Sequence, residues 1–272
     1  MHRLQERAED ITRRYGGVWG ITVEDLDTGA RFELNGNELF NAASIIKLPI
    51  MAAAFAAAHD RELNLGERVV LEAEDFAGGS GVLQHLSPGL SFAVYDLIVL
   101  MIIQSDNAAT NKVIDLVGAE RIGRTMEELG MNRSKFHHKT GLNYPHPPGR
   151  NIVTSADTAA LLKRLAEGSY LTRHACKRMI DILKKQQIRN GLPHELPAPD
   201  EGPVGRLPDW ELAHKTGWVS GIQHDAGILY ARGRSLVVTV LTRDAGEGRP
   251  ARALAGIAEL GRAAYEYAAG PG

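Results

Sequence analysis

Strand-forming sequence sits at both ends of this chain and helix-forming sequence fills the middle, an order that constrains the fold more than any other feature. Near the start, "VWGITVEDLDTGARFELN" alternates apolar and polar residues around Asp27-Thr28-Gly29, which predicts two strands joined as a hairpin. Near the end, "WELAHKTGW", "HDAGILYA" and "RSLVVTVLTR" predict three consecutive strands. Between these ends lie helical patterns: alanine-rich "IIKLPIMAAAFAAAHDREL", strongly apolar "FAVYDLIVLMIIQS", and amphipathic "SADTAALLKRLAEG" and "ACKRMIDILKKQQ". A helix to about Arg14 opens the chain and "PARALAGIAELGRAAYEYAA" closes it. The fold class expected is α/β in the α+β sense. An antiparallel sheet of about five strands is flanked by terminal helices, and an all-helical domain is inserted into it. The expected division is 1–42 with 205–272 as the sheet domain and 43–204 as the helical domain, with an active site in the cleft between them. The Pro/Gly-rich "GLPHELPAPDEGPVGRLPDW" reads as the return connection.

Composition narrows the function. With 272 residues, 44% of them hydrophobic, a substantial core is available. Thirty-one basic and 33 acidic side chains leave a net charge of −2, which gives no electrostatic footprint for nucleic acid or an anionic membrane. One cysteine, Cys176, excludes an internal disulfide and a thiolate metal cluster. The opening segment is charged and amphipathic rather than a signal peptide, so the expectation is a cytoplasmic protein, or an exported one if a leader has been trimmed. No stretch is long and apolar enough to suggest a membrane span. A monomer acting on a small molecule, without cofactor, is expected.

Three short motifs could carry chemistry. Ser44 is the only serine followed three residues later by lysine, in "NAASIIKLPIM". On a helix start that spacing puts Ser44 and Lys47 on one face, where a lysine of lowered pKa could take the serine's proton. An N-capping serine with a surface lysine has the same spacing, but the apolar run after Lys47 favours burial. Next, "QSDNAATNKVI" places Ser105, Asp106 and Asn107 just after an apolar helix. They are capping residue types, and also a hydroxyl and an amide able to relay a proton and hold a substrate amide. Finally Lys-Thr-Gly occurs twice, as Lys139-Thr140-Gly141 in a loop-like run and as Lys215-Thr216-Gly217 on a strand. On the strand it supplies a cation, a hydroxyl, and at Gly217 room for a ligand to approach the backbone.

The order Ser-x-x-Lys, Ser-Asp-Asn, Lys-Thr-Gly, separated by about 60 and 110 residues, resembles the serine β-lactamases of class A and the penicillin-binding proteins, over nearly the whole chain. The architecture read above is similar to that family's fold. The resemblance implies Ser44 as the acyl-forming nucleophile and Lys47 as its proton partner. It makes Ser105 the relay to the leaving nitrogen and Asn107 the holder of the substrate's side-chain amide. Lys215 and Thr216 would bind a carboxylate, and the backbone N–H groups of Ser44 and Trp218 would form the oxyanion hole. It also implies a loop glutamate two residues before a Glu-Leu-Asn tripeptide. Here the tripeptide survives as Gly141-Leu142-Asn143, with Asn143 expected at the substrate, but Lys139 holds the glutamate's place. No acidic residue lies between Met131 and Asn151, and Arg150-Asn151 stands where the family often has Arg-Asp.

Other candidates are His137, His138 and His146, which lack the carboxylate or thiolate neighbours of a metal site, so no metal is expected. His224 and Asp225 are expected near the substrate carboxylate, as a pair that assists binding or simply packs. The expected function is a serine hydrolase that opens β-lactam rings through an acyl-serine and deacylates slowly. The alternatives are a D,D-peptidase, amidase or esterase with the same apparatus, or a sensor that traps β-lactam or muropeptide without turnover.

Overall fold

In the computed structural model, residues 1–141, 149–198 and 208–270 are described. The chain opens with α1 (His2–Tyr15), then β1 (Val18–Asp25) and β2 (Arg31–Leu34), the expected hairpin. A two-residue strand β3 (Phe40–Asn41) leads into a single 3-10 turn, Ala43–Ile46, and α2 (Lys47–His59). A small ladder, β4 (Arg68–Leu71) with β5 (Leu90–Ala93), precedes α3 (Val94–Ile103), α4 (Asn107–Val117) and α5 (Ala119–Glu128). After β6 (Ile152–Val153), which pairs with β3, come α6 (Ser155–Ala166) and α7 (Arg173–Leu183). The strands β7 (Trp210–Val219), β8 (Ile222–Ala231) and β9 (Arg234–Arg243) and the helix α8 (Pro250–Ala269) close the chain.

The main sheet is antiparallel and five-stranded, in the order β2-β1-β9-β8-β7, so the two ends of the chain meet where β1 pairs with β9. Strand pleating divides its side chains between two faces. Leu236, Val238 and Val240 join Leu212 and Leu229 in a cluster with α1 and α8. Val237 and Leu241, with Ala213, Ala226 and Ile228, face the larger cluster built on α2 to α7. At the centre of that cluster is α2, in which every residue from Lys47 to Ala57 is buried. Alanine makes such a helix both stable and thin enough to be surrounded, and Pro49 falls in the first turn, where a missing N–H costs nothing.

On the other face α8 is held to α1 by Arg14 and Tyr15 on Glu259, and it comes close to the segment after Asn190. A Cβ built on Gly261 would stand 2.0 Å from the carbonyl oxygen of Leu192, a backbone atom that cannot swing aside. Gly261→Ala is therefore expected to destabilise the protein by about 1–3 kcal/mol through overpacking. Urea unfolding should show a lower midpoint at an unchanged slope.

Candidate active site

The turn that carries Ser44 is set by its neighbours. Asn41 Oδ1 accepts the Ala43 N–H at 3.0 Å, Ala42 N–H donates to the Asn151 carbonyl at 2.8 Å, and Ala43 takes a positive φ of 42°. One residue into the next helix, Lys47 is 0% exposed. Its Nζ lies 2.6 Å from the Ser105 carbonyl, 2.9 Å from Asn107 Oδ1 and 3.1 Å from Ser105 Oγ. Burial pushes its pKa well below the ordinary lysine value, Lys215 adds to the drop, and Asp106 opposes it. Two of its partners can only accept. The third is a hydroxyl, which can accept from an ammonium or donate to a neutral amine. The expectation that Lys47 reaches Ser44 is not met at rest, because among the described residues Ser44 and Lys47 share no hydrogen bond. All three contacts of Lys47 go to Ser105 and Asn107.

Ser105 sits between α3 and α4 with φ 54°, which turns both its carbonyl and its hydroxyl toward Lys47. Asp106, not singled out as functional from the sequence, fixes that conformation. One carboxylate oxygen caps α4 through Ala109 N–H at 3.0 Å, and the other accepts Val82 and Leu83 N–H at 2.7 and 2.9 Å. Asn107 Nδ2 donates to the Gly78 carbonyl at 2.9 Å, which joins the same loop to the site.

From the other side comes β7, the edge strand of the sheet. Lys215 is 0% exposed, donates to the Thr216 carbonyl at 2.7 Å, and has its pKa lowered to about 7 by burial, with Asp225 pulling the other way. Thr216 Oγ1 is buried and has no hydrogen-bond partner among the described residues. A Cβ on Gly217 would stand 3.1 Å from the backbone nitrogens of Ser44 and Ile45, so glycine lets the strand run against the serine's turn. Trp218, next along, is 55% exposed. Ser44, Lys47, Ser105, Asn107 and Gly217 thus come from three places in the chain to one site, with Lys215, Thr216 and Trp218 flanking Gly217 on β7.

The remaining predicted residues are placed differently. Asn143 lies outside the described residues, as does His146. His224 is buried, with Nε2 2.9 Å from the Asn41 carbonyl and Nδ1 2.8 Å from the Gln223 carbonyl and 3.0 Å from the Thr242 N–H. Both ring nitrogens are committed to backbone, and the ring ties β8 to the strand that leads into Ser44. His224 and Asp225 do not form a pair, because adjacent residues of a strand point to opposite faces. Asp225 instead meets His214 across β7 and β8, at 2.8 Å. In the loop, Lys139 reaches Asp115 on α4 at 2.7 Å, and Thr140 exchanges hydrogen bonds with Asn111 at 2.9 and 2.8 Å. Asn151 Oδ1 accepts His137 and His138 N–H, and its Nδ2 donates to the His138 carbonyl at 2.9 Å, so the loop base is closed by a neutral amide. Among the described residues no group of three His, Cys, Asp or Glu is arranged to hold a metal.

A serine on a tight turn, a buried lysine beside it, a hydroxyl within reach of that lysine and backbone N–H groups close by are equipped for acyl transfer through a serine ester. The model of the beta-lactamase enzyme family matches residues 3–268. The chain is 32% identical to a β-lactamase from Sphaerobacter thermophilus DSM 20745, with a TM-score of 0.87 over 97% of this chain and 96% of that one. It is 29% identical to a mutant of PBP-A solved as an acyl-enzyme complex with penicillin G, with a TM-score of 0.79 over 96% and 94%. Among curated proteins, an imipenem-hydrolyzing β-lactamase of Enterobacter cloacae is 24% identical over 250 residues, 87% of this chain and 80% of that protein. The chain belongs to the β-lactamase enzyme family, and its fold is that of the class A enzymes.

His224 gives a test of the site's framework. Burial lowers its pKa to about 4 from an ordinary 6.5, so between those values the unfolded chain binds more protons than the folded one. Stability is complete above pH 6.5 and is lost as pH falls through 4, by about 3 kcal/mol at most. His224→Gln should be less stable at pH 7 and should flatten this dependence, as read from urea midpoints at pH 7, 5.5 and 4.5.

Proposed function

We propose that this protein is a serine hydrolase that β-lactams acylate at Ser44 and that releases the acyl group slowly. The single observation that carries the reading is a fully buried lysine, three residues after Ser44, hydrogen-bonded to Ser105 and Asn107. A neutral Lys47 keeps its two N–H bonds on the Ser105 carbonyl and Asn107 Oδ1 and has one lone pair to offer. In the reaction Ser44 Oγ bonds to the lactam carbonyl carbon and its proton passes to Lys47. The ring C–N bond then breaks, and the nitrogen takes a proton through Ser105, whose hydroxyl lies 3.1 Å from Lys47. The missing Ser44–Lys47 hydrogen bond is expected to form when substrate closes the site, as such bonds often tighten only in the complex. The negative oxygen of the tetrahedral intermediate is met by the Ser44 and Trp218 N–H groups, in a reaction where each such donor is typically worth about 3–4 kcal/mol. Lys215 and the orphan Thr216 hydroxyl fit a substrate carboxylate, and Asn107 fits the side-chain amide.

Release needs an activated water, and the loop expected to supply its base carries no carboxylate. The sequence from Met131 to Asn151 has none, Asp106 spends both oxygens on backbone N–H groups, and Lys139 is engaged with Asp115. This favours, as a second reading, a peptidase or a β-lactam-trapping sensor of the same build; the acyl-enzyme captured with penicillin G in a PBP-A mutant is in line with it.

Intact mass after exposure to a penicillin should show one adduct, on Ser44, that survives for minutes. It should vanish in Ser44→Ala without loss of fold. Stopped-flow hydrolysis of a chromogenic cephalosporin should show a burst followed by turnover slower by about 10²–10⁴ than expected of a base-assisted reaction. Rapid steady turnover without burst or adduct would defeat the reading.

The two Lys-Thr-Gly copies should separate cleanly. Lys215→Ala should weaken acylation by about 2–4 kcal/mol, because it removes a charge-assisted partner. Lys139→Ala should leave acylation nearly unchanged, since that lysine is held by Asp115. The measurement is the second-order acylation rate constant of each variant, and the opposite ranking would reject the assignment.

A further inference from the structure

Behind the strand that carries Lys215 lies a buried ionisable pair to which the acylation scheme gives no task. The side chains of His214 and Asp225 are 1% and 0% exposed, with Nδ1 2.8 Å from Oδ1. The second carboxylate oxygen accepts the Leu192 backbone N–H at 2.8 Å. His214 Nε2 is buried and has no hydrogen-bond partner among the described residues. A protonated imidazole needs an acceptor at both nitrogens, so this geometry suits a neutral ring whose Nδ1–H donates to the carboxylate. The pair then carries one net negative charge on the face of the sheet occupied by Leu192, Leu212 and Leu229. A carboxylate buried there is costly unless a cation answers it.

Lys215, whose ammonium Asp225 favours against burial, is a cation able to answer it across the strand. It is one residue from His214, and its neighbour Thr216 stands opposite Asp225 in the ladder, so the carboxylate and the ammonium are set on either side of one strand. The other charged or titratable groups near Lys215 do not help it. Lys47 of α2 is a second cation, Asp106 at the start of α4 acts on Lys47, and His224 on β8 is kept neutral. Asp225 is the group that opposes the burial of Lys215.

We propose that Asp225, oriented by His214 and the Leu192 N–H, is a positioning residue whose negative charge behind β7 lets Lys215 hold a substrate carboxylate. This rests on the reading of Lys215 given above. Its consequence is a pH range: without Asp225 the lysine loses its proton, and the site its grip on an anion, at lower pH.

The test uses the intact protein and its Asp225→Asn and His214→Leu variants. The probes are a chromogenic cephalosporin bearing a free carboxylate and the methyl ester of the same compound. The saturating acylation rate and the half-saturating concentration are followed from pH 6 to 9. For the unmodified protein, half-saturation by the acid should rise as pH passes about 7, and the ester should show no such limb. Asp225→Asn should raise half-saturation by the acid at least tenfold at pH 7.5 and move the limb to lower pH. It should change the ester's value less than twofold and the saturating rate of either less than threefold. His214→Leu leaves the charge but removes a donor from the carboxylate, so it should move the limb to higher pH. Equal weakening of acid and ester, or a limb that stays in place, would overturn the proposal. If Asp225→Asn does not fold, an unmoved limb in His214→Leu overturns it alone. If the unmodified protein fails to distinguish acid from ester, the assignment of Lys215 itself has failed, and this one with it.

Discussion

The complete burial of the Lys47 amine organises this molecule. An amine inside an apolar helix must be surrounded by acceptors, and α2 has none of its own, so the acceptors come from the turn about 60 residues further on. To bring a carbonyl and a hydroxyl of one residue to the same nitrogen, Ser105 takes a left-handed conformation that a serine adopts only at a cost. Asp106 offsets that cost by capping α4 and by collecting two N–H groups of the Val82–Leu83 segment. The loop that borders the site is therefore anchored by the same residues that satisfy the lysine. A change at any of these positions reaches the buried amine directly.

A second constraint comes from the sheet. Edge strands are ordinarily a hazard because their outer N–H and C=O groups lack partners. Here the β7 edge is turned to the Ser44 turn, and Gly217 keeps the two backbones close enough to work together.

The elements that could be read in the sequence are those whose pattern is longer than one period. The hairpin, the three terminal strands and the closing helix lie where alternation and helical spacing put them, with the strands extending a residue or two further. The β3–β6 ladder could not be read, because two residues show no period and their pairing joins positions more than a hundred residues apart. In the site, residue types and order were legible and contacts were not. Serine and lysine at a spacing of three suggest a direct bond, yet tertiary acceptors at Ser105 and Asn107 outcompete Ser44 for Lys47. The pairing of His224 with Asp225 was excluded by strand pleating from the start. Adjacency in sequence suggests it, and only the β7–β8 register shows that Asp225 belongs with His214.

The described parts of the segment from Met131 to Asn151 are tied together at several points. In it an amide at Asn151 closes the base, Asn111 holds Thr140 from α4, and Lys139 is paired with Asp115 on that helix. A carboxylate substituted at Lys139 would meet Asp115, a like charge, where a cation now sits, so the residue that would seem to restore a base would first loosen the loop. The amide closure is equally exacting. Asn151 both accepts and donates, and an aspartate there would face the His138 carbonyl with no hydrogen to give. Because Asn151 also receives Ala42 N–H through its backbone, any slackening of the loop is passed to the turn that presents Ser44. A base for water placed in this segment would therefore have to be introduced together with new partners for Asp115 and Asn151.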